Sequence, residues 1–185
     1  SLSMMLNQET NRLDITDGVA KESIERTIAH LNKEIETTRR LIKKHIDQNP
    51  GLKAKRDLLE SIPGIGPTTS AMILAEFGDV ARFQNAKCMA SFCGLAPRHR
   101  QSGSSVRGKS MLSKTGSSRI RKALYMPALV AMSRNSLIKS FCARLKAAGK
   151  CSMVIIAAVM RKLIHIIYGV LKNGRPFDPA IGVAA

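Results

Sequence analysis

Ile24, Ile28, Leu31, Ile35, Ile42 and Ile46 recur at a 4-3-4 spacing, with Thr38 filling the position between Ile35 and Ile42. Such a stripe is the seam of an amphipathic helix, and its heptad register is that of a coiled coil. Glu25, Arg26, Lys33, Glu36, Arg39 and Lys43 fall off the stripe, and Asn49-Pro50-Gly51 stops the helix. A helix over residues 19–49 would run roughly 45 Å at 1.5 Å per residue. Its β-branched seam needs a partner, either another chain or the rest of this one. Residues 1–18 are expected as a flexible N-terminus.

The pattern then changes. Leu58-Leu59-Glu60-Ser61-Ile62 followed by Pro63-Gly64-Ile65-Gly66-Pro67 is an apolar helix end and a tight glycine turn, and a small-residue helix follows from about Pro67 to Phe77. This order looks like a helix-hairpin-helix. Gly64 and Gly66 let the backbone turn and leave N–H groups uncovered at the next helix start, a place suited to phosphate, and Thr68 or Thr69 could cap that helix or reach the phosphate. A packing hairpin is the other reading. Further helices are predicted around Asn85–Cys93, closed by Gly94, from Ser117 or Ser118 onward, over Arg134–Leu145, and over Cys151–Leu171, ended by Asn173-Gly174. Phe83 and Phe92 are expected in the core. No convincing strand alternation is present. The fold is therefore expected to be mainly α, an N-terminal coiled-coil helix followed by a compact helical domain over 55–178 that contains the hairpin motif, with 179–185 a flexible tail.

Charge sharpens this picture. From Val80 through Phe177 there are 98 consecutive residues with no Asp or Glu, among which lie 19 Lys or Arg. Residues 1–79 carry 11 basic and 12 acidic side chains, whereas 80–185 carry 19 basic and only Asp178, a net +18 against −1. A folded domain this basic expects a polyanion, nucleic acid before an anionic membrane. Cys88, Cys93, Cys142 and Cys151 form no C-x-x-C pair, so reduced thiols are expected and no metal site. Met153–Leu171 is interrupted by Arg161, Lys162 and His165 and reads as a core helix, not a membrane span. The start of the chain shows no basic stretch feeding an apolar run, so a cytoplasmic, nucleoid-associated protein is expected.

The polar, glycine-punctuated segment 96–110 predicts a loop or an irregular hairpin. Arg98, Arg100, Arg107 and Lys109 could surround a scissile phosphate with a hydroxyl from Ser102, Ser104 or Ser105 beside them. A serine attacking phosphorus needs neutralised non-bridging oxygens and a route for its proton, which His99 could supply. A loop that only binds nucleic acid is the alternative. Lys114, Arg119, Arg121 and Lys122 crowd the next helix start, where the helix dipole disfavours cations, so this placement predicts phosphate contact. Arg161 and Lys162 are either a snorkelling edge or a second phosphate contact.

Ile62-Pro63-Gly64-Ile65-Gly66, Phe83, Cys93-Gly94-Leu95-Ala96-Pro97, Gln101-Ser102-Gly103, Ser113-Lys114 with Gly116, Arg119–Leu124, Arg144-Leu145 and Gly149-Lys150 together resemble the C-terminal domain of bacterial insertion-sequence transposases. In that family an N-terminal DEDD domain, similar to Holliday-junction resolvases, accompanies a catalytic serine. The resemblance runs from the long helix to near Asp178. It implies DNA as partner, multimers, in some members a structured guide RNA, and divalent metal, Mg²⁺, in a DEDD domain that these residues do not contain. It implies Ser102 as the nucleophile, with Ser104 and Ser105 as alternates. Gly116-Ser117 stands where Gly-Asn is common. A fragment or truncated copy, inactive alone, is the expectation.

Overall fold

The computed structural model describes residues 1–98, 101–102, 106–107 and 111–180. Among them are nine α-helices and four very short strands. The chain forms two compact units, residues 1–50 and 51–185.

The first unit consists of α1 (Leu2–Leu13) and α2 (Val19–Gln48). Residues 1–18, expected to be flexible, contain a helix. Leu2, Leu6, Glu9 and Leu13 recur at heptad spacing and are the half-buried positions of α1, which folds back along α2 through a turn at Gly18 with φ +69°. The seam was hidden because Glu9 occupies one of its places, its carboxylate taken by Arg12 Nη1 at 3.0 Å. Against this short partner Ile24 and Leu31 are buried, while farther along Ile42 is 45% exposed. Twelve residues of α1 cover roughly 18 Å of a 45 Å helix, so Ile42 stands exposed beyond it, while Ile46 near the end of α2 is buried again.

In the second unit α3 (Pro50–Glu60) leads through the Ile62–Gly66 turn into α4 (Pro67–Phe77). A 3-10 turn at Val80–Arg82 and α5 (Ala86–Phe92) follow, α5 being capped by the Asn85 side chain, which accepts from the Cys88 N–H at 2.9 Å. Next come β1 (Pro97–Arg98), β2 (Gln101–Ser102), β3 (Val106–Arg107) and β4 (Met111–Leu112). At two residues each, no period-2 alternation can register in the sequence. Then α6 (Ser118–Ala123), α7 (Tyr125–Arg134), α8 (Ser136–Ala147) and α9 (Ser152–Asn173) complete the unit. The break between α6 and α7 has a local cause: Pro127 has no N–H to offer the Ala123 carbonyl, and the ladder resumes with Ala128 N–H to Leu124 O at 3.0 Å.

The core forms around α9, which packs on α5, α7 and α8. Leu163, Ile164 and Ile167 are fully buried, and Tyr168 reaches the carbonyls of Phe83 and Gln84 through its hydroxyl. Among the described residues α9 is the one helix long and apolar enough to cross a membrane; half of its most apolar window is buried inside the fold, as in a core helix. Phe83 packs edge to face on Phe77 and Phe92 at 5.8 and 5.5 Å, and Phe77 and Phe92 lie tilted at 5.9 Å, a core cluster. Gly174 ends α9 in the left-handed conformation expected of such a stop.

Candidate nucleic-acid interface

The polar segment after α5 leaves and returns through a β-hairpin. β1 pairs antiparallel with β4, Pro97 opposite Leu112, and β2 pairs with β3, Gln101 opposite Arg107 and Ser102 opposite Val106. Below the first ladder the two legs are clasped: Ser113 N–H donates to Ala96 O at 2.9 Å, Lys114 N–H to Gly94 O at 3.2 Å, and Ser117 N–H to Phe92 O at 2.8 Å. Such backbone-to-backbone approach leaves no room for side chains. A Cβ on Gly94 (φ +66°) would lie 3.1 Å from Lys114 Cα, and one on Gly116 (φ +132°) would run into the Phe92 carbonyl. Lys114 itself adopts a left-handed φ of +55°, the only non-glycine among the described residues to do so. Such a backbone is strained and persists only where its surroundings fix it.

Those surroundings include two arginines. Arg121 Nη1 lies 3.2 Å from the Cys93 carbonyl and 3.3 Å from that of Lys114, and Arg161 Nη1 from α9 lies 3.2 Å from the Leu95 carbonyl. Both tie the clasp together, a role that composition does not reveal. The Cys93 thiol beneath is fully buried; its pKa is pushed up to about 12, chiefly by burial, with Arg121 opposing and Glu76 adding to the rise.

Glu76 joins α4 to the same place. Ser117 caps α6 by accepting from the Ile120 N–H at 3.4 Å while its hydroxyl donates to Glu76 Oε2 at 3.0 Å. The Glu76 side chain is 18% exposed, whereas Arg119, with Nη1 at 3.8 Å from it, is 82% exposed and projects outward. Arg98, Lys114 and Lys122 are exposed as well. Of Ser102 and Arg107 the described part is the paired backbone; His99, Arg100, Ser104, Ser105 and Lys109 lie outside the described residues.

The glycine turn between α3 and α4 divides its two glycines between separate tasks. Gly64 (φ +104°) lies against α7, where a Cβ would come 2.8 Å from the Pro127 carbonyl oxygen. Around Gly66 nothing lies within 4 Å, and Thr68 beside it is exposed while Thr69 is half-buried. Ser70, fully buried, donates to Glu60 Oε1 at 2.8 Å and so pins the two helices. Gly66 and Glu76 sit at opposite ends of α4, roughly 15 Å apart; the turn and the hairpin clasp are therefore two places on one unit, not one cluster. Sequence reasoning missed Glu76, and it read Arg161 as a snorkelling edge or a phosphate contact where the side chain meets the Leu95 carbonyl. Glu76 is the sole charge in the otherwise uncharged α4, a signal that was open to reading.

Residues 56–143 match the family described as Transposase IS116/IS110/IS902, and over 177 residues, 95% of the chain, the sequence is 38% identical to the pilin gene-inverting protein of Moraxella bovis. The chain belongs to that transposase family. The Moraxella lacunata pilin gene-inverting protein is likewise 38% identical over 177 residues, and an insertion element IS110 protein of Streptomyces coelicolor is 28% identical over 121 residues. The match covers 55% of each Moraxella protein and 30% of the Streptomyces one, so the chain spans about half the length of its more similar relatives in the family. The match to the family covers the glycine turn, the clasp, the hairpin, α6 and α7, which makes the second unit a transposase domain.

Proposed function

We propose that this chain is the DNA-gripping domain of a recombinase that cleaves and rejoins strands through Ser102. In this reading the Ser102 Oγ attacks the scissile phosphorus, an O–P bond to serine forms, the bond to the deoxyribose oxygen breaks, and that oxygen leaves with a proton. Attack of a second strand's hydroxyl on the phosphoserine reverses the step and joins the new pair. The observation that carries the proposal is the clasp: a strained, glycine-dependent base fixed by Arg121 and Arg161 that holds a serine-bearing hairpin beside the cationic start of α6. Arg98, Lys114, Arg119 and Lys122 are the candidate phosphate contacts there, and Gly66, Thr68 and Thr69, as a helix-hairpin-helix, grip the backbone farther along. Gene inversion, in the name of the Moraxella relatives, requires strands to be cut and rejoined, which supports a recombinase.

Among the described residues no three His, Cys, Asp or Glu side chains are grouped to hold a metal. These residues do not fit as a Mg²⁺ site; in this reading carboxylates for such a site would be supplied by a DEDD domain. The exposed place of the α2 stripe at Ile42 supports a coiled coil with a second copy, and a structured guide RNA would use the same basic surface as DNA. In this reading the domain acts in the cytoplasm, on the nucleoid. A non-catalytic binding module is the second reading, favoured by Arg121 being engaged with carbonyls. Trapping on a nicked suicide substrate in the full-length protein separates them: a covalent protein–DNA adduct lost in Ser102→Ala is expected. An adduct that persists in Ser102→Ala and disappears in Ser104→Ala or Ser105→Ala moves the nucleophile, and no adduct at all favours the binding module.

A further inference from the structure

Away from the clasp, a groove of about 670 Å³ runs between the start of α8, the C-terminal half of α9 and the segment Arg175–Asp178. That segment is pinned from outside the groove, the Phe177 N–H donating to Ser61 Oγ at 2.8 Å. The volume is that of a small-molecule site, roughly 300–1,000 Å³, and is far too narrow for a duplex. Its chemistry is mixed in a particular way. Gly169 gives a stretch of α9 with no side chain, and nothing lies within 4 Å of where its Cβ would be, so a flat group can lie against the helix there. Phe177 supplies an aromatic ring, and Lys162 and Arg175 supply cations.

Two side chains add hydrogen-bonding capacity. His165 Nε2 is buried with no hydrogen-bond partner among the described residues, and Asn173 lines the same groove. Burial first, then Arg161, Lys162 and Lys87, hold the His165 pKa below its ordinary value, so the ring is neutral and Nε2 donates or accepts according to tautomer. Nε2 itself has no open surface, so a ligand in the groove meets the rest of the His165 ring and the Asn173 amide. We infer that this groove takes a single unpaired nucleotide, its base lying between Gly169 and Phe177 and its phosphate toward Arg175. Asp178, the one acid in the unit's basic half, also lines the groove; one of its oxygens accepts from the Ala180 N–H, and the carboxylate can accept in addition from the exocyclic amine of a base. The inference rests on the nucleic-acid reading above and adds to it a preference for strands with unpaired nucleotides.

The test uses the full chain and two labelled probes, a plain DNA duplex and the same duplex with one bulged 2-aminopurine. Stacking of one base on an aromatic ring leads us to expect about five- to tenfold tighter binding of the bulged probe, with quenched 2-aminopurine fluorescence. Gly169→Leu fills the groove, has open space around its Cβ, and improves helix propensity, so it is expected to fold, to bind the plain duplex as before, and to lose both the preference and the quenching. Asn173→Leu is expected to reduce the preference without affecting the duplex. Equal binding of the two probes by the wild type, or a preference kept in Gly169→Leu, would overturn the inference. Failure to bind either probe would instead sink the nucleic-acid reading. Displacement of the bulged probe by a Glu- and Leu-rich peptide from the wild type but not from Gly169→Leu would also overturn it, in favour of a peptide groove.

Discussion

Removing Glu76 is expected to loosen the start of α6 without emptying a large hole in the core. The Ser117 hydroxyl does two things at once: it caps the Ile120 N–H and donates to the Glu76 carboxylate at 3.0 Å. A hydrogen bond to a charged group contributes about 1.5–3 kcal/mol, and with the carboxylate 18% exposed most of that survives solvent. A serine N-cap contributes about 1 kcal/mol more. Glu76→Ala should therefore cost about 2 kcal/mol, Ser117→Ala about 3, and the double variant about 3, because the shared bond can be lost only once. The coupling is then about 2 kcal/mol. Urea unfolding of the four proteins measures it: with a slope of about 2 kcal/mol per molar, Glu76→Ala should shift the midpoint by about 1 M. Single costs that add to within about 0.5 kcal/mol would refute the reasoning, since independent sites behave that way. So would a Glu76→Ala protein as stable as the wild type, because the bond would then have no net value.

Two further outcomes follow from the same region. Gly116→Ala should prevent the clasp from closing and cost several times what Gly66→Ala costs, because the first places a Cβ in the Phe92 carbonyl and the second meets nothing within 4 Å; thermal melts of the two variants decide this. Exposed Cys88 and Cys151 should react with a thiol reagent at once and Cys93 only as the protein unfolds. The folded pKa of Cys93, about 12, lies above the unfolded value near 9, so the stability it contributes is fully present below about pH 9 and is lost as pH rises toward 12. An alkaline loss of stability that is unchanged in Cys93→Ala would contradict that assignment.

Much of the helical frame could be read from local pattern. The α2 stripe, the Asn85 and Ser117 caps and the Gly174 stop are signals carried by residues close in sequence, and the structure has each of them. What could not be read depends on residues that meet only after folding. Glu76 and Ser117 are 41 positions apart, and Arg161 meets Leu95 across 66. Arg121 has the appearance of a phosphate ligand in a basic run, yet two carbonyls hold its guanidinium. The first helix was missed because a glutamate stands at one of its seam positions, where an apolar count fails although the spacing is intact. Of the two alternatives for the glycine turn, packing describes Gly64, whereas Gly66 faces open space and its phosphate contact belongs to the proposal above.

The clasp below the hairpin also separates two rates of change. Between Pro97 and Leu112 the legs are already held side by side, so what happens beyond them is, in polymer terms, the closing of a loop whose ends are fixed. Doubling such a loop costs only about 0.6 kcal/mol. Segments of different length and reach can thus be mounted on one anchorage, while at Gly94 and Gly116 even a methyl group is excluded. Insertions and deletions among natural variants should accordingly gather at the apex, with the anchorage inherited almost unaltered.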